Sequence, residues 1–374
     1  MKIGVDARLL SRPITGIGRY TLEMCRSLSK IPHISLYLYS PAPIYTGLLI
    51  DFENVIVRTC GWKNGLLRQL WSESYLPMWA KMDGVDVLWG PAHRLPRWLP
   101  DNIARVVTIH DLVWIYAAET MRPISRMLER CQAPFGVKTA DRVVADSQAT
   151  ADAVKKEWPS CSDKLTVIPL AASLAGDVVP FEVLKELGIG TPYFLFVGTL
   201  EPRKNLARLL TAYALLPESL KSRSMLVIAG GKGWGGVNID EIVADLGLTK
   251  NVRIVGYVDD PTLSALYTNA QFLAMPSLYE GFGLPLVEAM VYGAPVLTSN
   301  NSSMPEVAGD AGLLVDAESV DSIKMGLAEM ITDSELIKRL TDNAKSNAAR
   351  FNWDDSAQQL VSVFKKAIQS RGSA

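Results

Sequence analysis

Histidine and cysteine are scarce in this chain of 374 residues, with three of the first and four of the second. Cys25, Cys60, Cys131 and Cys161 show no C-x-x-C pairing. That argues against a zinc site and a disulfide framework, and it fits a reducing compartment. No D-x-D motif occurs anywhere. No apolar run approaches the ~20 residues that a spanning helix needs. The opening Met-Lys-Ile-Gly-Val-Asp-Ala-Arg carries charges where a secretory leader needs an apolar core. Neither an integral membrane protein nor an exported one is expected. Net charge is nearly absent too, at −1, which excludes a nucleic-acid binder working by bulk electrostatics.

What is present is ordinary for a soluble enzyme: 48% hydrophobic and 21% charged residues, in a chain long enough for two domains. The charge is uneven. Residues 1–172 hold 21 Lys and Arg against 16 Asp and Glu, and the remainder holds 17 against 23. A basic first half suits an anionic acceptor or a membrane face, and a solvated surface explains it nearly as well. Short apolar runs alternate with helical patterns in both halves, which implies two parallel sheets. In the first half the strands are Lys2–Val5, Ile34–Tyr39, Val55–Val57, Val85–Trp89, Arg105–Ile109 and Arg142–Ala145. In the second they are Tyr193–Val197, Met225–Ala229, Val252–Val255, Phe272–Met275 and Pro295–Thr298. The small, proline-flanked stretch 173–180 reads as a hinge, and a last helix follows Trp353.

The densest chemistry lies in Ser277–Ser299. Glu280 and Glu288 are separated by seven residues, with Gly281-Phe282-Gly283-Leu284 directly after the first. A loop at a strand's carboxyl end, glycines that permit close backbone approach and a helix start describe a ligand site, with both carboxylates facing one crevice. The plainer reading of Glu288 is a charge suited to the helix dipole. Elsewhere, Gly16 opens a helix that carries Arg19 and Tyr20, though the third position of a dinucleotide fingerprint holds Thr21. His110-Asp111 ends one strand, Asp146-Ser147-Gln148 ends the next with Ser147 as a helix cap, and Arg203-Lys204 follows Gly198-Thr199. Adjacent cations at a helix start suit a pyrophosphate. Gly230–Gly236 is a glycine-rich loop, and Asp259-Asp260-Pro261 initiates a helix rather than holding a metal. Six of nine tryptophans fall between Trp62 and Trp114 among basic residues, and 61–71 reads as an amphipathic surface for lipid headgroups. The alternative is that these tryptophans are core.

Glu280-x7-Glu288 with its Gly-Phe-Gly-Leu-Pro core resembles the signature of family-four retaining glycosyltransferases, and the likeness extends over nearly the whole chain. The resemblance implies an α/β fold of the GT-B type, with two Rossmann-like domains whose parallel sheets face a central cleft. Residues 1–172 would form the acceptor domain and 181–354 the donor domain, with 355–374 returning to the first. It also implies roles. Arg203 and Lys204 would hold the donor's diphosphate beside the Gly16 loop. Glu280 would bind donor-sugar hydroxyls, Glu288 the ribose, and the backbone near Val258 the base. His110 would contact the donor sugar; Arg19, Tyr20, Asp111 and Ser147 would lie on the acceptor side. Many relatives carry an Arg where Thr199 stands here.

Val-Gly-Thr-Leu-Glu-Pro-Arg-Lys-Asn with Thr-Ile-His-Asp-Leu is similar to bacterial mannosyltransferases of O-antigen and related polysaccharides. The expectation is therefore a metal-independent, cofactor-free retaining α-mannosyltransferase using GDP-mannose. Its acceptor would be a glycan or an undecaprenyl-diphosphate-linked oligosaccharide, at the cytoplasmic face of the inner membrane with a peripheral contact through the first domain. A UDP-sugar transferase, a nucleotide-sugar 2-epimerase or hydrolase, a glycan phosphorylase and a non-catalytic nucleotide-sugar-binding subunit remain open.

Overall fold

A computed structural model describes residues 1–14, 16–62, 65–173, 181–190, 192–231, 233 and 238–372. The expected hinge falls almost wholly outside these residues, as does most of the glycine-rich loop 230–236. The chain divides into two compact units: Met1–Leu112 with Ile124–Leu170 and the segment from Asn352 onward, and Val113–Pro123 with Ala171–Phe351. Val113–Pro123, inside the first domain by sequence, thus packs with the second unit.

Among the described residues the first unit holds seven strands: β1 (Lys2–Asp6), β2 (Ser35–Ser40), β3 (Val55–Thr59), β4 (Val87–Gly90), β5 (Ala104–Ile109), β6 (Arg142–Ala145) and β7 (Leu165–Val167). They form one sheet in the order β3-β2-β1-β4-β5-β6-β7, with every pairing parallel. Strands such as Val87-Leu88-Trp89 are buried on both faces, as parallel strands covered by helices must be. The chain runs outward from β1 to β3, then returns to the other side of β1 at β4. That reversal opens a crevice at the carboxyl ends of β1 and β4.

The last helix, Trp353–Gly372, belongs to this unit. It buries Leu360, Val363, Phe364 and Ala367, and Phe364 meets Trp89 edge to face at 6.1 Å. Asp354 accepts from Ser27 Oγ at 2.7 Å, and Ser356 Oγ donates to the Pro169 carbonyl at 2.7 Å.

The second unit repeats the plan with β8 (Tyr193–Val197), β9 (Met225–Ala229), β10 (Val252–Gly256), β11 (Leu273–Met275), β12 (Val296–Ser299) and β13 (Gly312–Val315). Their order is β10-β9-β8-β11-β12-β13, again all parallel. Its core is continuous, from Phe194, Leu210 and Ile228 to Phe272, Leu297 and Leu327. Here the reversal lies between β8 and β11.

The tryptophans of the stretch from Trp62 to Trp114 divide: Trp98 is 75% exposed and Trp62 and Trp79 are half-buried. Trp71 and Trp89 are fully buried and Trp114 is 2% exposed. Arg68 is buried as well, donating to the Arg8 carbonyl at 2.9 Å. The exposed large apolar side chains of the helices Gly65–Glu73 and Tyr75–Asp83 are Leu67, Leu70, Tyr75, Met78 and Met82. Among the described residues no helix is long and apolar enough to cross a membrane.

Candidate active site

In the second unit the sequence candidates gather at the reversal between β8 and β11. Gly198 ends β8 with φ +151, and its N–H donates to the Ala229 carbonyl at 3.0 Å. A Cβ on Gly230 would lie 1.9 Å from the Gly198 carbonyl oxygen, so only glycine lets the two loops run this close. Pro202, Arg203 and Lys204 form one short turn, and Asn205 caps it in the left-handed region. The Asn205 amide then donates to the carbonyls of Pro276 and Ala317 at 2.9 and 2.7 Å. With the Leu278 N–H donating to the Arg203 carbonyl at 2.9 Å, the loop after β8 is sewn to the loop after β11.

That stitching brings three charges together. Lys204 Nζ donates to Glu280 Oε1 at 2.7 Å, and the Arg203 guanidinium pairs with the other Glu280 oxygen. Arg203 also donates to the Tyr279 carbonyl at 2.9 Å and to Glu201 Oε1 at 2.7 Å. Lys204 and Glu280 are 8% and 6% exposed. Burial alone would raise the Glu280 pKa. The charges of Arg203 and Lys204 outweigh it and hold the carboxyl down at about 2. Two cations against Glu280 and Glu201 make a cluster ready to exchange one anion for another.

The loop is fixed from its far side. The Glu280 N–H donates to Ser302 Oγ at 3.1 Å, and Ser303 Oγ donates to the carbonyls of Glu280 and Phe282. Gly281, Phe282 and Gly283 are all buried, and Phe282 meets Phe351 edge to face. Gly283, at φ +101, caps the helix Leu284–Val291, with Pro285 in its first turn. Glu288 is buried on that helix and accepts from Tyr267 Oη at 3.0 Å. Thr199 is exposed, and Val258 lies between Gly256 and the helix cap Asp259.

In the first unit, Gly16 is exposed at the head of the helix Gly16–Ser29, followed by half-buried Arg19. Asp111 is half-buried. Tyr20 and Ser147, expected to face an acceptor, are 1% and 0% exposed. Tyr20 Oη shares a hydrogen bond with Thr108 Oγ1, and Ser147 Oγ accepts the Thr150 N–H as the cap of Gln148–Glu157. Both side chains shape the interior.

His110 is likewise enclosed. Its Nδ1 faces Asp146 Oδ2, and its Nε2 lies 2.6 Å from the Pro91 carbonyl oxygen. Its N–H donates to His93 Nε2 at 2.9 Å, and its carbonyl accepts from Thr150 Oγ1 at 3.2 Å. Both ring nitrogens thus face oxygen atoms, and a proton is shared between the His110 ring and the Asp146 carboxyl, whose own pKa burial raises. Burial would lower the pKa of His110, but the Asp146 charge and the Pro91 carbonyl raise it above its ordinary value.

Sequence reasoning missed Asp146, His93, Glu201, Tyr267 and the serine pair 302–303. For Asp146 a signal exists. Ile109 pairs with Ala145 in the parallel register of β5 and β6, so the next residues, His110 and Asp146, leave the sheet side by side.

Two parallel-sheet Rossmann-like units, with glycine loops and charges at their strand reversals, define the GT-B class of glycosyltransferase. Residues 14–175 match the family described as Glycosyltransferase Family 4, and residues 183–347 match Glycosyl transferases group 1. The chain belongs to these two-domain family-four glycosyltransferases. It is 29% identical to the O-antigen chain mannosyltransferase B of Escherichia coli, over 98% of this chain and 100% of that one. It is 31% identical to the serotype-specific mannosyltransferase WbdA of Escherichia coli over 62% of this chain, spanning only 29% of that protein. The fold is shared with sucrose-phosphate synthase from Thermosynechococcus elongatus, at a TM-score of 0.76 and 20% identity, over 99% of both chains.

Proposed function

We propose that the chain is a retaining α-mannosyltransferase that moves mannose from GDP-mannose to a glycan or lipid-diphosphate-linked acceptor in cell-surface polysaccharide synthesis. The Arg203–Glu280–Lys204 cluster carries this reading. As the glycosidic bond of a nucleotide sugar breaks, negative charge builds on the departing diphosphate, and fixed cations stabilise it without reorganising. Arg203 and Lys204 are fixed by their loops and by Glu280. An arriving diphosphate takes over part of their charge and leaves Glu280 free to accept hydrogen bonds from sugar hydroxyls. Glu288, aligned by Tyr267, holds the ribose, and the backbone at Val258 reads the base. The first unit supplies the acceptor side through the Gly16 loop, Arg19 and Asp111, and His110 contacts the donor sugar. No metal ion or cofactor takes part in this scheme; the leaving phosphate helps deprotonate the acceptor hydroxyl, on the same face as departure. The likeness to the two Escherichia coli mannosyltransferases supports the choice of sugar.

The test is a screen of GDP-, UDP- and ADP-sugars with lipid-linked acceptors in the presence of a chelator, the product anomer being read by NMR. GDP-mannose turnover to an α-linked product is expected. Turnover of UDP-sugars alone, or release of free sugar without acceptor, contradicts it.

We also infer a peripheral contact with the inner face of the cytoplasmic membrane. The exposed stripe Leu67, Leu70, Tyr75, Met78 and Met82, with Lys81 beside it, supports this. Sedimentation with anionic vesicles, lost in a Leu70→Glu, Met78→Glu double variant, is the expected result. Equal sedimentation of both proteins contradicts it.

A further inference from the structure

His93 sits in the turn after β4, where its backbone is in the left-handed region at φ +62. That conformation is uncommon for a residue with a side chain, and the chain packs closely around it. A Cβ on Gly90 would lie 1.9 Å from the Arg94 carbonyl oxygen, and one on Gly136 would lie 2.9 Å from the His93 carbonyl oxygen. Held there, His93 grips the end of β5 at two points. Its N–H donates to the Thr108 carbonyl at 3.0 Å, and its Nε2 accepts the His110 N–H at 2.9 Å. A ring nitrogen that accepts carries no proton, so the proton of His93 is on Nδ1. Nδ1 faces Glu129 Oε2 at 3.1 Å, and the second Glu129 oxygen takes Arg94 at 3.4 Å. A carboxylate at Nδ1 selects the tautomer whose Nε2 is bare. His93 is 4% exposed, so neither bond has water as a ready substitute.

We propose that His93, set in its tautomer by Glu129, is a positioning residue that fixes His110 at the end of β5 and holds its ring between Asp146 and the Pro91 carbonyl. The proposal rests on the reading of His110 as part of the transferase site. Without His93 the His110 N–H has no acceptor in a buried setting. The peptide must then turn to find one, and the ring turns with it.

The three histidines make the test direct, because protein labelled with 15N-histidine shows only His33, His93 and His110. The expected spectrum has His93 protonated on Nδ1 alone. In His93→Phe the His110 nitrogen shifts move, and kcat with GDP-mannose falls about 10²-fold, the scale of a misplaced reacting group, while the donor KM stays close to wild type. His93→Gln, whose amide offers one acceptor and one donor, restores kcat to within about tenfold. Thermal unfolding of each variant shows whether it is folded. If His93→Phe does not fold, Glu129→Ala takes its place, with movement of the His93 shifts and a fall in kcat expected. A folded His93→Phe with unmoved His110 shifts and unchanged kcat overturns the proposal, and so does wild-type His93 protonated on Nε2. His110→Ala tests the underlying reading separately. If its kcat matches wild type, His110 leaves the transferase site, while the nitrogen shifts still decide whether His93 positions it.

Discussion

At the scale of single residues, the account turns on Glu280 and its two cations. Lys204→Ala removes one fixed charge from the diphosphate position, and such a donor is worth about 10²–10³ in kcat. Initial rates at saturating donor check this. Glu280 adds a dependence on acid. Its folded pKa is about 2, against ~4.3 for an unfolded glutamate. The depressed value means that the native protein stays ionised where the unfolded chain takes up a proton. The resulting stabilisation is therefore complete above pH ~5 and is lost as pH falls from there through about 2. Denaturant unfolding between pH 6 and 2 should fall more steeply for wild type than for Glu280→Gln. Parallel curves would remove the ion cluster from the account. These charges were legible as candidates, because Arg203-Lys204 and Glu280 each follow a short apolar strand. Their mutual pairing was not, because Lys204 and Glu280 lie 76 positions apart and only the adjacency of β8 and β11 brings them together. His110 shows the opposite limit. Its place at a strand end was readable, but the enclosure of all its polar groups depends on Pro91, His93, Asp146 and Thr150, which come from three other segments.

At the scale of elements, loop geometry does the positioning. Gly283 holds φ +101 at the start of Leu284–Val291, and a Cβ there would lie 2.5 Å from the Met304 methyl. Met304 is flexible and can give way; the backbone angle cannot. Gly283→Ala should cost about 1–3 kcal/mol, read from denaturant unfolding, and should raise the donor KM because the Glu280 loop shares that turn. An unchanged KM would detach this helix start from the donor. Most strands could be read from the sequence because both faces are buried, which leaves short apolar runs between turn residues. β13 could not: it begins with Gly312, sits at the sheet edge and leaves Leu314 42% exposed. The helix Pro123–Thr139 was hidden by Pro134 in its interior and by arginines that blur its apolar face. The tryptophan stretch stayed ambiguous because aromatic and basic residues mark a buried core and a membrane face alike: Trp71 is buried beneath Arg8, which lies 5.3 Å from its ring, whereas Trp98 is exposed.

At the scale of the molecule, the first unit is completed by the far end of the chain. Phe364 is fully buried against Trp89, so Phe364→Ala should cost the first unit about 3–5 kcal/mol. Buried Trp71 and Trp89 make fluorescence a reporter of that unit, and its unfolding midpoint should shift while activity per folded molecule is retained. An unshifted midpoint would mean that the last helix adds no stability there. The charge asymmetry between the halves, basic first and acidic second, fits an anionic acceptor on one unit. In the proposed reading the second unit meets the donor diphosphate with a few placed cations rather than with bulk charge. The measurement that tests this most directly is calorimetric titration of GDP into wild type and into the Arg203→Ala, Lys204→Ala double variant, with chelator present throughout. The account predicts binding by wild type and its loss in the folded double variant; equal affinity in the two, or wild-type binding only after magnesium is restored, would contradict it.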